Sequence, residues 1–270
     1  NIAAVFVDRG GLATAIALMD KAIAIDPRPG ELRFKRSLIA LRLARFSVGW
    51  QDYESRYFAE TERIPRPQPP PAYWAGENLS GKTILLWTEQ GLGDEVLYGS
   101  MIPEVIDRAG RCIIECSPRM VPVFTRSFPK ATVLRYPSQG VRGTPPAGID
   151  YQIAVVSLGQ FFRPDFEHFP RHSGFLKADP ACTAELRARY LAIAPGNLVV
   201  GISWRSKNDR VGSQKSADIS TWTEVLTVPG VTFVNLQYGD CAADLVAVKR
   251  VLGVEVFHDP EVDPLQSVDG

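Results

Sequence analysis

Residues 85–105 read LLWTEQGLGDEVLYGSMIPEV, and this stretch decides the fold class. An apolar run ends at Thr88, a polar turn with two glycines follows, and an amphipathic segment begins at Asp94. A strand, a turn and a helix in this order are typical of a parallel α/β sheet. A turn that only joins two elements needs one glycine and one capping residue. The additional glycine, carboxylate and amide indicate a binding or catalytic turn.

Five residues of this turn are candidate site residues, because ligands of open parallel sheets bind beyond the carboxyl ends of the strands. They are Glu89, Gln90, Gly91, Gly93 and Asp94. The glycines would permit positive φ and let a ligand approach the backbone closely. Asp94 alone could instead be a helix N-cap that accepts from first-turn N–H groups. The turn lacks the Lys-Ser/Thr pair of a Walker loop and the third glycine of the dinucleotide fingerprint.

The overall composition is that of a folded globular protein, with 270 residues, 45% of them hydrophobic and 22% charged. The formal net charge is zero, which argues against a general nucleic-acid binder. No apolar run reaches the ~20 residues that a membrane-spanning helix needs. Cys112 and Cys116 fall on one face of a predicted strand and are expected to be buried thiols. Nothing in the cysteine pattern requires an oxidising compartment, so a cytoplasmic location is predicted.

The sequence predicts four segments, of which the first two differ in composition from the rest. Residues 1–60 have helical spacing and a weak 34-residue repeat that relates Ala15 to Gly49 and Met19 to Tyr53. This spacing is typical of a tetratricopeptide repeat, and a simple helical hairpin is the alternative. Such a short array cannot bury its own faces well, so either earlier repeats are missing or it packs on the part of the chain that follows. Residues 61–80 are proline-rich and form a predicted linker, with Tyr73 and Trp74 docked on a domain surface.

From Lys82 onward, short apolar strands alternate with helices, which predicts two parallel α/β domains over 81–190 and 197–270. The predicted strands are 83–88, 112–116, 132–136, 151–156, 198–203, 231–236 and 254–257, and the predicted helices are 94–109, 118–127, 181–192, 219–227 and 241–252. The second domain has too few strands to be complete. We therefore expect the chain to be a fragment at both ends.

Several motifs resemble those of bacterial glycosyltransferases that carry tetratricopeptide repeats. In chain order they are GWQDYESR, EQGLGDEVLYGSMIPEV, DYQIAVVSL, GISWRS and NLQYGD. The catalytic part of these enzymes is similar to the heptosyltransferase group, glycosyltransferase family 9. The resemblance implies a GT-B fold, in which two Rossmann-like domains face each other across a cleft. The first domain mainly receives the acceptor, and the second mainly holds the nucleotide-sugar.

The resemblance also implies that Asp94 is the catalytic base, without a metal or a covalent intermediate, so that one displacement inverts the anomeric centre. A carboxylate within hydrogen-bond reach can orient a sugar hydroxyl and take its proton. Position 95 departs from the relatives, because it holds Glu95 where they usually have a small polar residue. The diphosphate-binding loop of the His-x-x-Gly type would lie beyond the last residue of the chain. His168, His172 and His258 show no metal-ligand spacing.

The leaving nucleoside diphosphate needs positive charge or oriented N–H groups. Arg205, Lys207 and Lys215 come after the strand LVVGIS and are the candidates, although each could equally be a solvated surface cation. Trp204 is expected to support this loop by packing more than to stack on a base. Gln237 could hydrogen-bond the nucleotide base, or it could be a simple polar strand end.

These observations predict an inverting, metal-independent glycosyltransferase that moves a sugar from a nucleotide-sugar to a protein or glycan acceptor. The nucleotide-sugar is a co-substrate, and no other cofactor is expected. The 270 residues alone are expected to be inactive, and the helical segment could contact a protein partner. The alternative is a non-catalytic scaffold in which the repeats and an inactive transferase fold serve protein interaction. A nucleotide-sugar epimerase or dehydrogenase is disfavoured, because the glycine fingerprint and a Tyr-x-x-x-Lys pair are missing.

Overall fold

A computed structural model of the chain describes residues 9–25, 30–59, 70–89, 91–137, 144–171, 174–206, 212–262 and 268. The chain divides into two compact units, Asn1–Leu176 and Lys177–Gly270. Each unit is built on a parallel β-sheet with helices between the strands. The predicted α/β class is confirmed at this level.

The first unit begins with helices and continues with alternating strands and helices. The helices that precede the sheet are α1 (Leu12–Ile25), α2 (Gly30–Arg42) and α3 (Phe46–Tyr53), followed by a 3-10 turn over Glu54–Phe58. The later elements are β1 (Ala72–Tyr73), β2 (Thr83–Trp87), α4 (Leu92–Gly99), α5 (Ile102–Ile106), β3 (Arg111–Cys116), α6 (Val121–Ser127), β4 (Thr132–Arg135), β5 (Tyr151–Ala154) and α7 (Gly159–Phe162). Residues 9–59, with α1, α2, α3 and the 3-10 turn, are called the helical segment below.

The sheet of the first unit has the strand order β1-β5-β2-β3-β4, and every pairing is parallel. Leu85 of the central strand β2 lies opposite Ile113 of β3, and Leu86 lies opposite Ile153 of β5. These four side chains are fully or almost fully buried, which explains why the strands are continuous apolar runs. The chain runs from β2 outward to β4 and then returns to the other side of β2. The switch point of this topology therefore lies between the carboxyl ends of β2 and β5.

The helical segment packs on this sheet and shares its hydrophobic core. Helices α1 and α2 meet through small and apolar side chains that include Ala15, Met19 and Ala40. Trp50 and its neighbours in the helical segment belong to the same buried cluster as Trp87 of β2. The expected packing of this segment on the part of the chain that follows is observed.

The end of the predicted linker adds a strand to the sheet. Tyr73 of β1 pairs with Gln152 of β5, and the adjacent Trp74 is buried against Phe161 and Phe162. The expected docking of Trp74 on the domain is confirmed. Residues 60–69 lie outside the described part of the chain.

The segment predicted as one helix over 94–109 forms two shorter helices, so this prediction was wrong. Helix α4 ends at Gly99, and α5 begins at Ile102 with Pro103 in its first turn. Proline has no N–H to donate, and its ring clashes with the carbonyl four residues earlier. The helix therefore restarts at a position where proline is tolerated.

The second unit contains α8 (Pro180–Ile193), β6 (Leu198–Ile202), α9 (Thr223–Leu226), β7 (Val231–Asn235), α10 (Ala242–Leu252) and β8 (Val256–Phe257). Its sheet has the order β6-β7-β8, and both pairings are parallel. Trp204, Phe233 and Val248 belong to its core. Across the described ranges, no helix is long and apolar enough to cross a membrane.

Candidate functional site

The polar turn comes directly after the central strand β2, at the switch point of the first sheet. Helix α4 begins at Leu92 with Gly91 as its N-cap, so Asp94 occupies the third helical position. The carboxylate oxygen Oδ2 of Asp94 accepts a hydrogen bond of 3.1 Å from the N–H of Gly91. This is the reciprocal half of a capping box, in which the third residue satisfies the N-cap N–H. The simpler interpretation of the sequence made Asp94 the N-cap. In the structure the N-cap is Gly91, and Asp94 bonds to it from the third helical position.

Glu89, at the start of the turn, is buried and bound to an arginine of the helical segment. Arg56 Nε donates to Glu89 Oε1 at 2.5 Å, and Arg56 Nη2 lies 3.3 Å from Oε2. The Arg56 side chain has no exposed surface, and Glu89 is 7% exposed. The hydroxyl of Tyr57 accepts from Arg56 and lies 3.4 Å from Glu89 Oε2 as a donor. A role of Glu89 toward a substrate stays a prediction, and the geometry gives this carboxylate a structural partner.

The remaining N–H groups of Arg56 also have acceptors. Nη1 donates to Glu54 Oε1 at 2.7 Å and to the carbonyl of Tyr53 at 3.1 Å, and Nη2 donates to Ser157 Oγ at 2.8 Å. Ser157 comes after β5 and in turn donates to Glu54 Oε1 at 2.7 Å. The guanidinium thus bridges the ends of β2 and β5.

Burial and charge oppose each other in this network. Burial lowers the pKa of Arg56, but the nearby carboxylates, chiefly Glu89, outweigh it and hold the pKa above its ordinary value. Burial raises the pKa of Glu89, and the charge of Arg56 opposes this shift. Burial also raises the pKa of Tyr57, so its hydroxyl keeps its proton and remains a donor.

Glu95 is the second buried carboxylate near the turn, at 3% exposure. Its Oε1 accepts from the hydroxyl of Thr88 at 2.5 Å and from the N–H of Ser117 at 2.8 Å. Its Oε2 accepts from the hydroxyl of Ser117 at 2.5 Å. Thr88 comes after β2 and Ser117 after β3, so Glu95 fastens helix α4 to the carboxyl ends of two neighbouring strands. These hydrogen bonds give Glu95 a structural role.

Of the three carboxylates between positions 89 and 95, Asp94 is the one with partial solvent exposure. One of its oxygens bonds to Gly91, and the other has no hydrogen-bond partner among the described residues. As far as the described residues go, this second oxygen is available to accept a proton or a hydrogen bond from a bound molecule. Gln90 lies outside the described residues.

The two glycines of the turn do not adopt the positive φ that glycine permits. Gly91 has φ −110° and ψ 172°, and Gly93 lies inside helix α4. A Cβ atom built on Gly93 would meet no atom within 4 Å, and one on Gly91 would meet only Asp94, at 3.7 Å. The turn could accommodate side chains at both positions. Because glycine has no side chain, positions 91 and 93 leave open space beside Asp94.

In the second unit, three of the predicted nucleotide-binding residues, Trp204, Arg205 and Lys215, line an open pocket of about 590 Å³. The pocket lies at the carboxyl ends of β6 and β7, the edge at which ligands of such sheets bind. Its lining residues are Ser203, Trp204, Arg205, Ser206, Lys215, Ser216, Ala217, Trp222 and Tyr238.

The predicted residues of this pocket differ in how much of their side chain is already engaged. The indole N–H of Trp204 donates to Asp244 Oδ2 at 2.9 Å, and Trp204 is 4% exposed, as expected of a supporting residue. Arg205 pairs with the same carboxylate at 3.2 Å, while its buried Nε has no acceptor among the described residues. Lys215 is exposed and makes no ion pair within the described ranges. Lys207 lies outside the described residues.

Gln237 forms hydrogen bonds with the loop after β6 that lines the pocket. Its side-chain carbonyl accepts from the N–H groups of Trp204 and Arg205 at 3.0 and 2.9 Å, and from the hydroxyl of Ser203. Its amide nitrogen donates to the carbonyl of Tyr238 at 3.1 Å. Gln237 is 4% exposed. Recognition of a base by Gln237 stays a prediction, which these contacts do not favour.

No protein-family model matches the chain. The chain is 34% identical over 279 aligned positions to Protein FlbA of Caulobacter vibrioides. The alignment covers 97% of this chain and 47% of that protein, so the chain spans about half the length of this relative. The name of the relative states neither a ligand nor a reaction.

Sequence reasoning missed the residues that hold the turn in place. Arg56 lies in GWQDYESR, one of the motifs that resemble the glycosyltransferases, but no function was predicted for this residue. Ser157 and Ser117 come after predicted strands, and polar residues at the carboxyl ends of parallel strands were a usable signal. Nothing local indicated that the partner of Glu89 lies 33 residues earlier in the chain.

Proposed function

We propose that this chain is part of a glycosyltransferase of the GT-B type, which moves a sugar from a nucleotide-sugar to a protein or glycan acceptor. The observation that carries the proposal is the selective exposure of Asp94. Glu89 and Glu95 are buried and hydrogen-bonded, while one oxygen of Asp94 has no hydrogen-bond partner among the described residues. Asp94 follows β2, beside the switch point of a parallel sheet. A partly exposed carboxylate at such a position suits a general base.

In the proposed reaction, the free oxygen of Asp94 accepts the proton of an acceptor hydroxyl. The hydroxyl oxygen attacks the anomeric carbon of the donor, and the bond from that carbon to the diphosphate oxygen breaks. The electron pair of this bond leaves with the nucleoside diphosphate. A single displacement of this kind inverts the configuration at the anomeric carbon.

The departing diphosphate requires positive charge. Arg205 and Lys215 would supply it, because both line the pocket at the carboxyl ends of β6 and β7. Lys207 is a further candidate from the sequence. The proposal assigns charge neutralisation to side chains, so transfer should persist in EDTA.

The test uses the full-length protein and a panel of nucleotide-sugars, with thermal shift and calorimetry as readouts. A true donor should raise the melting temperature of the wild type and bind less tightly to Lys215→Ala. Lys249→Ala is the matched control, because Lys249 is an exposed cation of the same unit that pairs with Glu255 and does not line the pocket. Absence of binding by every nucleotide-sugar would contradict the proposal and favour the non-catalytic scaffold.

A further inference from the structure

We propose that Arg56 is a positioning residue for the transfer reaction, because it fixes Glu89 and thereby the turn that carries Asp94. This inference rests on the function proposed above. It gives the helical segment a part in the acceptor-side site, in addition to any partner that the segment binds.

The contact between Arg56 and Glu89 is a complete buried pair. Nε of Arg56 donates to Glu89 Oε1 at 2.5 Å, and Nη2, whose closer acceptors are Tyr57 and Ser157, also lies 3.3 Å from Glu89 Oε2. Nη1 donates to Glu54 and to the carbonyl of Tyr53. The guanidinium also lies over the rings of Tyr53 and Tyr57, at 4.9 and 4.1 Å from the ring centres. A planar side chain held on its edges and on its faces has little freedom to move.

This pair and Glu95 fasten the turn at its two ends. Glu89 is tied to the helical segment, and Glu95 is tied to Thr88 and Ser117 at the ends of β2 and β3. The short stretch between the two anchors carries Asp94. Because Glu95 holds the far end in place, a shift at Glu89 would distort the near end up to Gly91, whose N–H is bonded to Asp94.

Arg56 also occupies a particular place in the topology. It bonds to Glu89 after β2 and to Ser157 after β5, so its guanidinium fills the switch point between these two strands. Ligands of open parallel sheets usually bind at such a point. In this chain a side chain of the helical segment is seated there and orients the adjoining turn.

The test compares Arg56→Lys with the wild type in the full-length protein. Lysine keeps the charge but lacks the planar fork, so it cannot bond to Glu89 through two nitrogens and reach Ser157 as well. We expect kcat to fall by about 10- to 100-fold, the scale of a 1 Å misplacement, with the donor KM unchanged. Amide hydrogen exchange over residues 91–95 should become faster, independently of any activity.

Asp52→Asn is the matched control. Asp52 is buried in the same helical segment, and its ion pairs are with Arg36, at 2.5 Å from Nε, and Arg33, not with a residue of the turn. This variant should lower the melting temperature but leave kcat and the exchange of residues 91–95 as in the wild type. If Arg56→Lys does not fold, Ser157→Ala is the second variant, because it removes a single partner of Arg56. It should also speed amide exchange at 91–95 and lower kcat, each by less than expected for Arg56→Lys.

Two results would count against the inference, and they differ. Unchanged exchange at 91–95 in the Arg56 variant would overturn the positioning role alone. A wild-type protein without any transfer activity would overturn the proposed function and the catalytic part of this inference with it.

Discussion

The indole ring of Trp50 in helix α3 lies directly on Gly159, the first residue of helix α7. A Cβ atom added to Gly159 would come within 2.5 Å of Trp50 Cδ2. The indole N–H donates to the carbonyl of Arg163 at 2.8 Å. The helical segment is therefore closely packed against the α/β part of the first unit, and the two share one hydrophobic core.

Replacement of Gly159 by alanine should destabilise the first unit, because the added methyl group overlaps the Trp50 ring. We expect a loss of about 1–3 kcal/mol in the free energy of unfolding, the usual cost of overpacking a core. Denaturant unfolding measures it. Trp50→Leu combined with Gly159→Ala removes the overlap and should cost less than the sum of the two single changes. A Gly159→Ala protein as stable as the wild type would show that the ring can move aside freely.

Replacement of Gly93 by alanine should have opposite effects on stability and activity. No atom lies within 4 Å of a Cβ built there, and alanine favours a helix over glycine by up to about 1 kcal/mol. The melting temperature should therefore rise slightly. If the open space beside Asp94 receives the acceptor, kcat/KM for the acceptor should fall. Unchanged kinetics would remove Gly93 from the binding surface.

Replacement of Asp94 by asparagine separates capping from catalysis. The asparagine carbonyl can still accept from the N–H of Gly91, so the loss of stability should be limited to a charge effect of about 0.3–1 kcal/mol at the helix N-terminus. A lost general base should lower activity by about 100-fold or more. Initial rates and melting temperatures of the two proteins provide the comparison. Turnover near that of the wild type would exclude Asp94 as the base.

The cysteines should differ sharply in reactivity. Burial raises the pKa of the Cys112 thiol to about 12, and its side chain is 3% exposed. The thiolate is the reactive form, so at pH 8 only about one Cys112 in ten thousand would be ionised. Iodoacetamide should label the partly exposed Cys182 first and leave Cys112 unmodified until the protein unfolds. Peptide mass mapping checks this, and equal labelling of the two in the native state would contradict it.

The positions of the strands were predictable because their signal is local. Leu85 and Ile113 lie in short apolar runs that have no helical period, and turns bound each run. The alternation with helices was enough to predict parallel pairing. Pro103 is an equally local signal for the interruption of the helix. The break was not predicted because the amphipathic pattern continues across it.

The roles of individual side chains were less predictable, because they depend on partners far along the chain. The sequence shows three carboxylates at positions 89, 94 and 95 and offers no reason to prefer one for burial. Glu89 meets a partner 33 residues before it, and Glu95 meets one 22 residues after it. Gln237 reads as a polar strand end, yet its amide is engaged with the backbone of the neighbouring loop.

The sequence by itself determined the α/β class, the parallel strands and the place of the polar turn, since apolar periodicity and turn residues act over a few positions. The folded chain adds that the helical segment shares the core of the sheet and that Glu89 and Glu95 are buried, while one oxygen of Asp94 has no hydrogen-bond partner among the described residues. The reason is physical: a carboxylate is buried only where distant donors satisfy it, and those donors come together only in the folded chain.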